Sequence, residues 1–533
     1  MHTNRHLGTC TGVILAALAA AAYCQPPNAA SPASLALAPA RMARIGTVDE
    51  RFQSFNIEMV EIIGGRFWKP YSNEVDALLK APPSAGSVGM DPALFQQRPP
   101  IDLTNTSLRK LAAALAPAYV RVSGTWANTT YFQNAENAAP ANPPAGFNGV
   151  LTRRQWKGVV DFSRAIDARI VTSFATSAGT RDAAGVWTPA QARQFLAYTT
   201  SIGGSIAAAE YMNEPTFAAQ GGAPQGYDAA AYARDIAVFL PFARQAAPGM
   251  VILGPGSIGE GVSLVPAGMA RGQLKTEDLL TAAGPAFDAF SYHFYGALSK
   301  RCAAMAPVVG TTPEDALSEQ WLARTSRAEA FYAGLRDRFA PGKPLWVTET
   351  AGAACGGNPW GSTFLDSFRY LDQLGRLARS GVQVIAHNTL ASSDYGLLDE
   401  NTLTPRPNYW SALLWRRLMG PAVLDPGPSP AAALHLYAHC LRGHPGGVAL
   451  LAINTDRAAS QSFELPSESA RYTLTARNLE DTRVDLNGNE LRLGVNDELP
   501  PLRGVPTLSG RLTFAPASIT FLAIPNADNR SCR

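Results

Sequence analysis

The chain has 533 residues, 46% of them hydrophobic and 16% charged. That composition excludes a disordered chain and provides core for more than one domain. Lys and Arg number 45 against 42 Asp and Glu, a formal net charge of +3. The densest basic spots are Arg153-Arg154 and Arg416-Arg417, so the charge gives no ground for a nucleic-acid partner.

Taken in chain order, His2, Arg5 and His6 precede an apolar run at 13–22. This run is shorter than the roughly 20 apolar residues of a membrane span and fits the core of a secretory signal. Residues 1–24 are therefore expected to be a signal peptide, and the chain to be secreted or periplasmic. Cys24 raises the question of a lipid anchor, but Tyr23 stands where a small residue is expected. The Pro-, Ala- and Ser-rich stretch 25–40 reads as a linker. No later segment is long and apolar enough to span a membrane.

From residue 51, eight short β-branched or aromatic runs alternate with amphipathic stretches. The runs are 52–58, 119–123, 169–176, 208–214, 251–255, 288–295, 345–350 and 382–388; the stretches include 107–115, 155–168, 189–201, 229–244, 317–339 and 363–380. This alternation predicts a (β/α)₈ TIM barrel over 41–420. No glycine-rich phosphate fingerprint follows the first run, which argues against an open doubly wound sheet. After 420 the helical stretches give way to alternating runs at 434–439, 448–454, 471–477, 491–493 and 512–524, with a turn at Asn487-Gly488-Asn489. Residues 421–533 thus read as an appended C-terminal β-sandwich, to which 41–50 is expected to add an edge strand.

Four cysteines lie beyond the signal: Cys302, Cys355, Cys440 and Cys532. They allow three disulfide connectivities. Cys440 and Cys532 share the C-terminal region and are the favoured pair; Cys302 and Cys355 follow neighbouring barrel strands and could form a second. None has the close spacing of a zinc site, and no cofactor is expected.

Two predicted strands carry acids at their ends. Tyr211-Met212-Asn213-Glu214-Pro215 closes the fourth, where Pro prevents continuation of the ladder. Trp346-Val347-Thr348-Glu349-Thr350 closes the seventh. Strands four and seven of eight face each other across a barrel, so Glu214 and Glu349 are expected to oppose one another at its mouth. Glycoside cleavage needs such a pair, one carboxylic acid to protonate the leaving oxygen and one carboxylate to attack the anomeric carbon. The two must differ in pKa.

The Asn-Glu-Pro motif with a strand-seven Glu resembles clan A glycosidases. More narrowly, the chain resembles glycoside hydrolase family 79, the heparanase and β-glucuronidase family. The stretch 394–401 (DYGLLDEN), followed by Pro405, Pro407 and Asn408-Tyr409-Trp410, carries most of the likeness; VRVSGT at 120–125 and YHFY at 292–295 add to it. The resemblance implies a barrel with an appended sandwich, Glu214 as acid/base and Glu349 as nucleophile of a retaining, double-displacement hydrolase. It further implies Asn213 on the sugar 2-hydroxyl, Tyr295 orienting the nucleophile, and His293, Asn56, Glu58 and Thr125 around the sugar. A uronate carboxylate would be held by backbone N–H groups of the loop Ala354-Cys355-Gly356-Gly357 and by Tyr395, with His387 and Asn388 nearby. The implied partner is a glucuronic-acid-containing oligosaccharide, polysaccharide or glycoside.

Two other readings remain open at this stage. One is a clan A glycosidase for a neutral sugar, of arabinofuranosidase or xylosidase type. The other is a catalytically inactive carbohydrate-binding barrel. The glycine loop with Tyr395 speaks against the first, and the presence of both acids against the second.

Overall fold

A computed structural model describes residues 36–80, 91–262, 272–302 and 310–533. The expected signal peptide, Cys24 and most of the expected linker lie outside the described residues, as does part of the loop at 256–272. Among the described residues, no helix is long and apolar enough to cross a membrane.

Eight parallel strands close into a barrel: β1 (Gln53–Glu58), β2 (Ala118–Ser123), β3 (Ala168–Ser173), β4 (Ile206–Glu210), β5 (Val251–Ser257), β6 (Ala289–Leu298), β7 (Leu345–Ala354) and β8 (Val384–His387). Helices such as Arg153–Ala165, Ala229–Ala246 and Phe364–Arg379 connect them. The first of these starts on a capping box, in which Thr152 accepts from the Gln155 N–H and the Gln155 side chain accepts from the Thr152 N–H.

Strand alternation stacks the barrel interior in layers. Tyr119, Val171, Ala208, Leu253, Ala289, Trp346 and Val384 form an apolar floor. Two residues further along their strands come Arg121, Glu210, Ser291 and Thr348, all buried and bonded to one another through Glu210. The interior thus changes from apolar to polar toward the C-terminal ends of the strands.

Two sequence expectations at these strand ends need correction. β4 stops at Glu210, four residues before Glu214, which sits in a loop with left-handed backbone (φ 49°, ψ 63°). The ladder therefore ends well before Pro215, and proline is not what breaks it. β7 runs on to Ala354, so Glu349 lies inside the strand. It is exposed to the barrel mouth by a bulge: His293 of β6 pairs with Glu349 while Tyr292 pairs with Val347, and the register against β8 shifts across the same residues. One extra residue on a strand re-aims the side chains beside it.

Helix Pro407–Leu418 runs directly into strand Met419–Leu424, which opens a nine-stranded antiparallel-type sheet. Arg44–Thr47 pairs antiparallel with Met419–Leu424 and forms one edge. Period-2 alternation splits the faces of this sheet: Ala449, Leu451 and Ile453 pack on the barrel side. Val448, Leu450 and Ala452 pack on the other side, with Phe463 and Phe514 of a two-stranded sheet. Gln461–Leu465 is a strand the sequence reading missed, and 491–493 is not a strand. Leu491 is buried in the barrel-side core without entering a ladder. The run 512–524 splits into Gly510–Phe514 and Ser518–Ile524 around Ala517 at φ 43°. The end of the expected linker is docked: Leu37 is buried in the outer core, and Asn529 Nδ2 donates to the carbonyls of Pro39 and Met42 at 2.7 and 2.9 Å. Cys302 is joined to Cys355, and Cys440 to Cys532.

Candidate active site

Glu214 and Glu349 meet at the barrel mouth with His293 between them. One side-chain ligand atom from each of the three lies within 4.8 Å of the other two. Such a trio has the size of a cation site, but Arg121 occupies its wall and opposes a cation there.

Glu349 is gripped from two sides. Arg121 Nη1 donates to Oε2 at 2.8 Å, and Tyr295 Oη donates to Oε1 at 2.7 Å. Asn388 Nδ2 donates in turn to the Tyr295 oxygen at 2.9 Å, fixing the phenol. Burial pushes the Tyr295 hydroxyl well above its usual range, and the charge of Glu349 adds to this, so it remains a donor. Glu214 is held by one contact, His293 Nδ1 to Oε1 at 2.9 Å. Burial raises its carboxyl above the ordinary range; the charge of Glu349 adds to this, while His293 and Arg121 work against it.

His293 lies between the two carboxylates. It is fully buried, and its ring nitrogens face protein groups: Nδ1 faces Glu214, and Nε2 lies 3.1 Å from Arg121 Nη2. Burial works to lower its pKa, but the nearby carboxylates of Glu349, Glu210 and Glu214 outweigh burial and Arg121, pushing it up to about 9.

Arg121 and Glu210 were given no role from sequence. Arg121 Nη2 donates to Glu210 Oε2 at 2.9 Å and to Asn213 Oδ1 at 2.8 Å. Ser291 and Thr348 donate to the other oxygen of Glu210 at 2.9 and 2.6 Å. Burial works to raise the Glu210 carboxyl, yet Arg121 and His293 hold it well below its usual range. The available signal was alternation: Arg121 falls two residues after Tyr119 on an otherwise apolar strand, and Glu210 two after Ala208.

Asn213 is fixed at both ends. Its backbone N–H and C=O pair with the Asn128 amide at 2.8 and 2.9 Å, and its side-chain oxygen with Arg121, leaving its NH₂ to face a ligand. Glu58 is buried and shares a capping box with Glu61 at the start of helix Met59–Ile63; one of its oxygens has no protein partner among the described residues. Burial first, and then Glu349, raise its carboxyl well above the usual range. Gly124 (φ 87°) lies directly over this oxygen, which a Cβ there would meet at 1.5 Å. Asn56 Nδ2 donates to the Thr348 carbonyl at 3.3 Å, and its Oδ1 has no protein partner among the described residues. Thr125 lies apart from this group: it is exposed and lines an outward cleft of about 350 Å³ with Trp126, Arg66 and Gly222.

Tyr395 is buried beside Tyr295, Ala351 and Trp68. His387 Nε2 lies 2.7 Å from its carbonyl, and burial lowers the His387 pKa to about 4, so the ring is a neutral donor to that carbonyl. Cys355 is disulfide-bonded, which leaves its backbone as the group a ligand could meet. A Cβ at Gly356 would lie 2.7 Å from Trp68 and 2.8 Å from both Arg301 and Ser393, so glycine is required there.

Known proteins resemble this chain in sequence and in fold. Residues 99–375 match the description "Glycosyl hydrolase family 79, N-terminal domain". Heparanase-like protein 1 of Arabidopsis thaliana is 27% identical over 486 residues, 81% of this chain and 86% of that one. Baicalin-beta-D-glucuronidase of Scutellaria baicalensis is 33% identical over 232 residues, 41% of this chain and 44% of that one. The human protein named inactive heparanase-2 is 28% identical over 220 residues, 37% of each chain. In fold, the chain resembles a 4-O-alpha-L-rhamnosyl-beta-D-glucuronidase from Fusarium oxysporum 12S, with a TM-score of 0.61 at 14% identity over 92% of this chain and 100% of that one. The family match covers more than half of the sequence and contains both opposed carboxylates, and the chain therefore belongs to glycosyl hydrolase family 79.

Proposed function

We propose that this protein is a retaining glycoside hydrolase that cleaves β-linked glucuronic acid, with Glu349 as nucleophile and Glu214 as acid/base. The observation that carries this reading is the approach of one oxygen of each carboxylate to within 4.8 Å of the other, in unequal surroundings. Retaining enzymes hold their carboxyl groups ~5–5.5 Å apart, and inverting ones ~6.5–9.5 Å to admit a water.

The mechanism follows from the contacts. Glu349, oriented by Arg121 and Tyr295, attacks the anomeric carbon, while Glu214 gives its proton to the departing oxygen. His293 occupies Oε1 of Glu214, so Oε2 is the oxygen left to carry that proton. Once Glu349 is glycosylated its charge is gone, the pKa of Glu214 falls, and Glu214 takes a proton from the attacking water. The NH₂ of Asn213 bonds the sugar 2-hydroxyl, a contact that tightens in the transition state. No metal or organic cofactor has a step in this chemistry.

The glucuronide assignment draws on the glycine loop at 356–357 beside Tyr395, and on the relative named as a β-D-glucuronidase. Neutral N–H and O–H donors can hold a carboxylate without a cation. Export by the N-terminal signal is part of the proposal. The test is the rate with 4-nitrophenyl β-glucuronide, β-xyloside and α-arabinofuranoside. Release from the glucuronide alone is expected. Preference for a neutral glycoside overturns the substrate, and glycan binding without turnover of small or polymeric substrates overturns the hydrolase.

A further inference from the structure

The loop after β7 leaves the strand through three successive residues with positive φ: Cys355 at 62°, Gly356 at 86° and Gly357 at 94°. Such a run has no ladder to hold it, so its shape depends on what its carbonyls meet. Arg301 Nη1 donates to the carbonyls of Cys355 and Gly357 at 3.1 and 3.3 Å. The Gly356 carbonyl accepts from Ser393 Oγ and the Asp394 N–H at 3.0 and 3.1 Å.

Each of these carbonyls belongs to the same amide as the next residue's N–H, which points the opposite way across a trans peptide. The N–H groups of Gly356, Gly357 and Asn358 are therefore turned away from these partners. A cation on the oxygen end of an amide also strengthens its N–H as a donor. Arg301 does this for the amides of Gly356 and Asn358.

The same guanidinium reaches the segment after β8. Arg301 Nη2 donates to the Lys69 carbonyl at 2.7 Å and pairs with the Asp394 carboxylate. The Tyr71 ring packs on the guanidinium, 3.9 Å from Cζ, and the Tyr71 N–H returns to both Asp394 oxygens at 3.2 Å. Asp394 immediately precedes Tyr395. The next residue after Arg301, Cys302, is bonded to Cys355. One fully buried arginine thus ties the glycine loop to the Tyr395 segment, and one disulfide fastens both to the end of β6.

We propose that Arg301, braced by the Cys302–Cys355 disulfide, is the positioning residue that gives this site its selectivity for an anionic sugar. It touches no sugar. It sets the spacing between the loop N–H donors and Tyr395, and polarises those N–H groups. The inference rests on the glucuronide reading above. Lysine cannot replace Arg301, because a point charge cannot serve three carbonyls and a carboxylate from the fixed fork that a guanidinium presents.

The experiment compares the full-length protein with Arg301→Lys and Cys302→Ser on 4-nitrophenyl β-glucuronide and β-glucoside, which differ only at C6. Calorimetric binding of glucuronate and glucose gives a second readout. Arg301→Lys is expected to raise KM for the glucuronide ~10-fold or more and to weaken glucuronate binding equally, with glucoside kcat/KM changed less than about twofold. Cys302→Ser should move the same quantities the same way by about threefold, and it decides the matter if Arg301→Lys fails to fold. Equal losses on both substrates, or an unchanged preference, overturn the inference and leave the glucuronide reading standing. A wild-type protein that prefers the glucoside overturns both.

Discussion

The two carboxylates proposed to carry the chemistry are built in opposite ways. Glu349 lies inside a strand and is clamped by a buried guanidinium and a fixed phenol. Glu214 lies in a loop beyond its strand with a single histidine contact, and its side chain is 19% exposed against 8% for Glu349. The difference matches the work proposed for each. A nucleophile gains from being immobile and surrounded by donors that favour its charged form. An acid that later acts as a base must hold a proton, release it and admit water, so it benefits from burial that favours its protonated form and from fewer donors than the nucleophile has. A site can divide labour between two identical side chains by giving them different neighbours.

The largest expected effect tests this division directly. Glu349→Gln should lower kcat by at least about 10⁴-fold for every substrate. Glu214→Ala should be similarly harmful for poor leaving groups but mild for activated aryl glycosides, with azide restoring rate and yielding a β-glycosyl azide. An α-azide product, or equal losses for both leaving groups, would erase the distinction between the two carboxylates.

Removing what supports the clamp comes next. Glu210→Gln removes one of the two buried carboxylates paired with Arg121, at a cost of about 3–5 kcal/mol in unfolding free energy. Because the Glu210 carboxyl is depressed in the folded state, its stabilisation is present above the unfolded-state carboxylate pKa of about 4.3 and is lost as pH falls through the folded value. Denaturant melts of both proteins from pH 7 downward should therefore converge at the acid end. A constant gap would show that the charge of Glu210 is not what matters.

The smallest effect sharpens the comparison on the Glu214 side. His293 lowers the Glu214 pKa, so His293→Asn should raise it and move the alkaline limb of kcat/KM to higher pH. A limb that moves down, or stays, would remove His293 from the control of the acid. The histidine carries its own signature: with its pKa pushed up to about 9, its stabilisation is complete below about 6.5 and is lost as pH rises through about 9.

Much of this was legible before any coordinates. Eight runs alternating with amphipathic stretches specified a barrel, because period 2 and period 3.6 are written directly in side-chain order. Asn213-Glu214 and Glu349 stood out because an acid at the end of an apolar run has few structural uses. Asn487-Gly488 announced its hairpin, having the positive φ values of 51° and 79° that such a turn demands. Arg121 and Glu210 were present in the alternation but are identifiable only as a pair, and their pairing joins residues 89 positions apart.

Other features were decided by tertiary structure alone. The left-handed backbone at Glu214 arises in a loop beyond its strand, and the β7 bulge that presents Glu349 and the placing of His293 between the two carboxylates depend on register between neighbouring strands, which no local pattern encodes. The same holds for the gathering of Arg301, Tyr71, Asp394 and Cys355 around one guanidinium. The sequence by itself determined that two acids would face each other across a barrel, since strand count and periodicity are local properties. Only the folded chain decided which acid is clamped and which is free to exchange its proton, since that depends on contacts between distant segments.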